Sequence, residues 1–243
     1  MAPSGQGRGR TDAPRNDPGQ YEDLARTWWD PRGPFAMLHW LAASRASLIP
    51  PAQRPGDVLV DLGCGGGLLA PHVARLGYRH LGVDASPAAV RSSRAHGLLA
   101  VRADARRVPL ADGCAAVVTA GELLEHVPDP GAVIDEAARL LRPGGTLVLD
   151  TIAAGPLARL VAVDLAERLP GGPPPGLHDP ALFVDVAALV RRCAEHGIAL
   201  AVHGIRPSLP DYLAFARGRR DTVAMIRSRL PAILVAGVGT RPA

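Results

Sequence analysis

The chain has 243 residues, 47% of them hydrophobic and only 4% aromatic, so Ala, Val and Leu must fill the core of one large domain, with room for a small cap. Its basic residues are all Arg, scattered rather than striped, and the formal net charge is +4; with no run of the ~18 apolar residues that a span requires, this argues against a nucleic-acid partner and a transmembrane segment. Cys64, Cys114 and Cys193 are odd in number and irregular in spacing, which fits neither a disulfide framework nor a zinc pattern and points to a reducing cytoplasm.

Residues 1–20 are rich in Gly, Pro and Arg and lack an apolar signal region, so a disordered tail is expected there, followed by a single domain over 21–243. Residues 21–50 have a helical pattern, broken near DPRGP, and read as an N-terminal helical cap. DVLVDLG (57–63) is a short apolar run ending in glycine, a buried strand. GLLAPHVARLG (67–77) has helical spacing. HLGVDAS (80–86) is a second strand, followed by a helix with Ser86 as N-cap and Pro87 at its first position. A third strand and its loop fill 98–110, a fourth 115–122, and a helix is expected over 130–145, closed by Arg, Pro and Gly. TLVLDTIA (146–153) is a fifth strand. Residues 155–180 interrupt the alternation with one apolar helix and a Pro/Gly-rich loop, an inserted lid over the active face. A helix over 184–197, a strand over 198–205, and a further helix and last strand near AILVAGVG complete the chain. Such alternation with short connections predicts an α/β fold, a doubly wound, Rossmann-like parallel sheet.

LVDLGCGGGLLA places Gly63, Gly65, Gly66 and Gly67 between the first strand and its helix, where ligands of open parallel sheets bind. The third position of a dinucleotide G-x-G-x-x-G fingerprint is Leu68, so that fingerprint fails. An acid before the turn, Asp61, and the G-x-G-x-G spacing suit S-adenosylmethionine, which has no pyrophosphate and whose amino-acid end needs an acid and backbone contacts. Asp84 ends the second strand, placed for both ribose hydroxyls. Asp104, or its neighbour Ala105, ends the third near the adenine.

These motifs resemble those of class I S-adenosylmethionine-dependent methyltransferases. RTWWDPRGPFAMLHWLAASR, VLVDLGCGGG, ELLEHVPDP, RPGG and GLHDPALFV narrow the resemblance to the ubiquinone-biosynthesis O-methyltransferase family, from about Tyr21 to Ile205. The resemblance implies an O-methyltransferase acting on a small hydroxylated aromatic, a catechol or polyprenyl-phenol of quinone-precursor type. It also implies that Arg45, Gly63, Asp84 and Gly121 contact S-adenosylmethionine. The family usually has Met where this chain has Gly121, so that contact can only be a backbone one. The alternatives are a methyltransferase for another small acceptor and an inactive cofactor-binding module.

GELLEHVPDP sets Glu122, Glu125 and His126 at the end of the fourth strand, sharing one face if the turn is helical. With His178 as a fourth ligand, the group would bind Mg²⁺, Mn²⁺, Fe²⁺ or Zn²⁺, which would lower the pKa of an acceptor hydroxyl. A second reading makes His126 or His178 a general base. A third is structural, with Glu122 capping amides and Glu125 paired with His126. Trp28 and Trp29 either line the acceptor pocket or anchor their helix. The 155–170 helix either packs as a lid or touches a membrane surface to reach a lipid-like substrate.

Overall fold

In the computed structural model, which describes residues 15–243, strands and helices alternate as expected. An eight-stranded sheet runs in the order β3-β2-β1-β4-β5-β8-β6-β7. Its parallel half consists of β1 (Val58–Leu62), β2 (Arg79–Asp84), β3 (Leu99–Arg102), β4 (Ala115–Gly121) and β5 (Leu141–Ile152). Strand order reverses between β1 and β4, and this opens the crevice in which a ligand can sit beyond the strand ends. The other half departs from the parallel sheet expected and is antiparallel: β8 (Leu234–Thr240) lies between β5 and β6 (Ala201–Pro207), and β7 (Met225–Ser228) forms the edge.

Side chains alternate across the sheet with the period of two that a strand imposes. Val60, Leu62, Val118, Ala120, Leu147 and Leu149 share one buried cluster with α5 (Pro130–Leu140) and α7 (Val186–Glu195). Leu59, Val117 and Val148 face the other way, against Ile49, Leu69 and Val73. The core is therefore a helix–sheet–helix sandwich built from Ala, Val and Leu, as the composition requires.

The helix starts follow local chemistry. Ser86 accepts a hydrogen bond from the Ala89 amide ahead of α4 (Pro87–Ala95), Asp129 from Ala132 ahead of α5, and Asp185 from Ala188 ahead of α7. Each cap contributes about 1 kcal/mol. The helix expected over 67–77 is reduced to α3 (Ala70–Val73), because consecutive short turns, Gly67 to Cys64 and Ala70 to Gly67, precede it and Pro71 has no amide to donate. The helix expected to reach 145 stops at Leu140, since Arg142 precedes a proline and is steered to extended backbone.

At the N-terminus the expected tail, for residues 1–14, lies outside the described residues. From Arg15 the chain has defined contacts, and α1 (Pro18–Leu24) starts earlier than position 21. α2 (Ala36–Ala46) packs against β4, β5 and β7 and buries Trp40, Leu41 and Arg45. The 155–180 segment forms α6 (Pro156–Arg159), a π-helical stretch over Leu160–Leu165 and a Pro/Gly-rich loop. Its Ala158, Ala162 and Val163 pack on Ile152 and Phe183, while Leu157, Leu160 and Leu165 are exposed. Among the described residues no helix is long and apolar enough to cross a membrane.

Candidate active site

A cleft of about 850 Å³ opens at the strand-order reversal. The residues expected to meet the cofactor converge there: Arg45, Asp61, Gly63, Gly65 and Asp84 line it, together with Asp104, Ala105 and Gly121.

The glycine turn is shaped by close approaches. Gly63 has φ +67°, and a Cβ there would come within 2.9 Å of the Leu123 side chain. A Cβ on Gly66 would fall 2.8 Å from Trp28. At Gly63 only glycine accommodates both the left-handed backbone and the contact, and at Gly66 the closeness of Trp28 leaves no room for a side chain. Both tryptophans brace the turn: Trp28 is buried, stacks on Phe35 and also lines the cleft, while Trp29 donates its Nε1–H to Gly66 O and stacks on His96. Cys64 packs against Gly82, and burial raises its thiol pKa.

Asp84 closes β2 with Oδ2 accepting from Gly65 N at 2.9 Å and Oδ1 from Ser86 N at 2.8 Å. Burial pushes its pKa up against those two donors. Asp61 lies within β1 and accepts from Thr119 Oγ1 at 2.6 Å, with His80 Nε2 3.7 Å away. Burial acts to raise its pKa, but His80, Arg45 and Thr119 together hold it below the usual carboxylate range. The sequence singled out neither His80 nor Thr119. Asp104 stands beyond β3, which ends at Arg102, and is clamped by the Arg106 guanidinium through contacts of 2.7 to 3.1 Å. A glycine-rich turn that permits close approach, a strand-end carboxylate and a buried arginine make a lining of the kind S-adenosylmethionine requires.

Arg45 reaches the site from α2. Its Nη1 donates to Asp150 Oδ1 at 3.1 Å, a buried pair, and its guanidinium crosses directly over Gly121. Asp150, missed in the sequence, is the residue paired with Gly121 across β4 and β5.

The E-x-x-E-H segment departs from a helical arrangement. Glu122 has φ +49°, a conformation uncommon for a non-glycine residue, and the 3₁₀ turn starts only at Leu124. Glu122 therefore leaves the shared face expected for it. Ligand atoms of Glu125, His126 and His178 lie within 4.8 Å of one another, and Glu122 stands outside this trio. The expected Glu125–His126 pairing gives way to other partners. Thr151 Oγ1 donates to Glu125 Oε2 at 2.7 Å, and His126 Nδ1 meets Asn16 Oδ1 at 2.7 Å. The rings of His126 and His178 stack with centroids 5.2 Å apart.

Burial dominates the electrostatics. It raises Glu125 to about 7, against hydrogen bonds from its own amide and Thr151. Glu122 is pushed well above the carboxylate range by burial and by the Glu125 and Asp150 charges. Burial lowers His126 to about 3, helped by His178, and His178 to about 4, helped by Arg15. Both imidazoles are thus neutral at neutral pH. Glu125 Oε1 and His178 Nδ1 are buried without a hydrogen-bond partner among the described residues. Orphaned atoms on Glu125 and His178, converging with the His126 imidazole, make a mixed N/O group of the kind a divalent ion would satisfy.

Residues 60–149 match the family described as Methyltransferase domain. A ubiquinone biosynthesis O-methyltransferase from Cupriavidus pinatubonensis (strain JMP 134 / LMG 1197) is 37% identical over 206 residues, spanning 79% of this chain and 82% of that relative. One from Ralstonia nicotianae (strain ATCC BAA-1114 / GMI1000) is 40% identical over 182 residues, 69% and 75% of the two chains. Among solved structures, an S-adenosylmethionine-dependent methyltransferase from Thermotoga maritima superposes with a TM-score of 0.63 at 17% identity, covering 90% of this chain and 95% of its own. Geranyl diphosphate C-methyltransferase from Streptomyces coelicolor A3(2), solved with Mg²⁺, geranyl diphosphate and S-adenosyl-L-homocysteine, superposes with a TM-score of 0.57 at 20% identity, covering 94% and 100%. At these identities the two structures show a shared fold.

Proposed function

Since the chain belongs to the ubiquinone-biosynthesis O-methyltransferase family and is an S-adenosylmethionine-dependent methyltransferase, we propose that its acceptor is a hydroxylated aromatic ring of catechol type carrying an apolar, lipid-like tail. The carrying observation is the convergence of Glu125, His126 and His178 beside a cleft whose outer wall is apolar. Met37, Leu38, Val161, Ala162, Leu169 and Ile233 contribute to that wall, a surface suited to a hydrocarbon tail and to excluding water from the reacting centre.

S-adenosylmethionine supplies a sulfonium methyl group; the S–CH₃ bond breaks with its electron pair left on the sulfur of S-adenosylhomocysteine, an O–CH₃ bond forms and the hydroxyl proton passes to water. The glycine turn and Asp84 hold the adenosyl part, and Arg45 offers a cation to the carboxylate end. His126 and His178, both at the cleft surface and uncharged, orient the acceptor hydroxyl.

The proton chemistry favours a metal over a side-chain base. Glu125 has a pKa near working pH but is fully buried behind the cleft wall. The imidazoles have access but are too weakly basic, at about 3 and 4, to take a proton efficiently. Glu125, His126 and His178 would instead hold a divalent ion, whose Lewis acidity lowers the pKa of a phenolic hydroxyl. Two nitrogen donors and one oxygen suit Zn²⁺, Fe²⁺ or Mn²⁺ better than Mg²⁺, which prefers an all-oxygen shell. The exposed Leu157, Leu160 and Leu165 support peripheral contact of the 155–170 segment with a membrane surface that delivers the acceptor.

The test is methyl transfer to a simple catechol and to a short-chain prenylated catechol, with and without EDTA. Activity on the prenylated acceptor, lost with EDTA and restored by Mn²⁺ or Zn²⁺, is expected. EDTA-resistant turnover would remove the metal, and turnover on neither acceptor, with cofactor binding established by calorimetry, would remove the acceptor class.

A further inference from the structure

Two residues from the segment preceding α1 reach across the site to both histidines. Asn16 Nδ2 donates to His126 O at 3.1 Å, while Asn16 Oδ1 lies 2.7 Å from His126 Nδ1. Asn16 N donates to Gly176 O at 3.0 Å, in the loop that carries His178. Arg15 Nη1 donates to His178 O at 2.9 Å and also pairs with Glu167 Oε1 at 2.9 Å, and Glu167 Oε2 accepts from Gly176 N at 3.1 Å. His126 and His178 come from loops about fifty positions apart, and this short segment bonds to the backbone of each.

The Asn16 contact determines more than a position. A backbone carbonyl only accepts, so the amide nitrogen of Asn16 must face His126 O. That orientation leaves Oδ1, which also only accepts, against Nδ1 of the ring. The ring nitrogen must therefore donate, and in a neutral imidazole the lone pair then resides on Nε2. Asn16 has φ +59°, a left-handed conformation that asparagine tolerates better than most residues, so the backbone is set to present both ends of the amide to one histidine.

We propose that Asn16 is a positioning residue for the methyl-transfer site: it fixes His126 as the Nδ1–H tautomer, so that Nε2 is the nitrogen offered to a divalent ion or to the acceptor hydroxyl, while Arg15 holds the His178 loop in register. The proposal rests on the reading of His126 as a site imidazole. Partners on the second nitrogen of a ligating histidine typically alter metal affinity by about 10–100-fold when removed.

The experiment uses the full chain labelled with ¹⁵N-histidine at neutral pH. Long-range ¹H–¹⁵N correlation reads the tautomer of His126, assigned by its loss in His126→Gln, and calorimetry reads Zn²⁺ and Mn²⁺ affinity. His126 is expected as Nδ1–H in the parent. Asn16→Gly suits the left-handed backbone while removing the amide, and is expected to lose that tautomer preference and to weaken metal binding by about 10–100-fold. Asn16→Asp keeps an acceptor at Nδ1 but cannot donate to His126 O, and is expected to retain the Nδ1–H tautomer. An Nε2–H tautomer in the parent overturns the proposal, as does an Asn16→Gly variant with unchanged tautomer and affinity. If the parent binds neither metal, the metal reading fails by itself, and the tautomer in parent and variant still decides the role of Asn16.

Discussion

Arg45 lies where a side chain at position 121 would have to begin: a Cβ on Gly121 would fall 0.6 Å from Arg45 Nη1. No side chain fits at position 121 beside the guanidinium, so the glycine and the path of the arginine belong together. Any larger residue must displace the guanidinium from its buried partner, Asp150. Gly121→Ala is expected to destabilise the protein by about 2–4 kcal/mol, the cost of breaking a buried charged contact. In an Arg45→Ala background the same substitution is expected to cost less than about 1 kcal/mol. Urea unfolding of the four proteins in the cycle measures this; additive effects would mean that the two residues are independent.

Asp84 accepts from Gly65 and Ser86 and is the strand-end acid of the cofactor cleft. Asp84→Ala is expected to weaken S-adenosylmethionine binding by about 10–100-fold, the range for losing hydrogen bonds to a charged group. Calorimetric titration checks it, with circular dichroism to verify the fold. Unchanged affinity would remove Asp84 from the ribose position.

The buried titratable groups make opposite predictions about pH. Glu125, raised to about 7, keeps its proton in the folded state while the unfolded chain releases it from about 4.5 upward. Its contribution is full at low pH and is lost as pH rises through about 7. Glu125→Gln is therefore expected to gain on the order of 2–3 kcal/mol relative to the parent between pH ~4.5 and ~7.5. His126, lowered to about 3, behaves in reverse: the unfolded chain takes up a proton below about 6.5 and the folded state resists it, so stability is lost on acidification. His126→Gln should lose that acid sensitivity. Denaturant midpoints across pH, with EDTA throughout, give both slopes; parallel curves for parent and variants would contradict them.

Leu157, Leu160 and Leu165 are exposed on the 155–180 segment and stand outside the cleft lining. Replacing all three with Ser is expected to reduce sedimentation with anionic phospholipid vesicles by about tenfold or more, given ~0.8 kcal/mol per buried methylene. Turnover of a water-soluble catechol should be unchanged. Equal vesicle binding by parent and variant would leave this face as ordinary surface.

Much of the fold was legible because its signals are local. Strand runs, the Ser86 cap and the glycine turn each depend on neighbours within about four positions, the range over which backbone and side chain constrain one another. The residues of the cofactor cleft could be named one strand end at a time, since a parallel sheet puts successive strand ends on one edge. The β7 edge strand, hidden in an Arg-rich stretch without clear alternation, was not legible.

By itself, then, the sequence determined the alternating α/β pattern of a doubly wound sheet, the strand ends where a ligand would sit and the chemical types gathered there. Only the tertiary structure decided which of those types meet. The left-handed turn at Glu122 takes one carboxylate out of the ligand group, and Arg45 crosses Gly121 to Asp150 over 105 positions. Asn16, in a stretch expected to be a tail, bonds to His126 over 110 positions. Contacts at such separations arise from how helices and loops pack on the sheet, and no pattern along the chain encodes them.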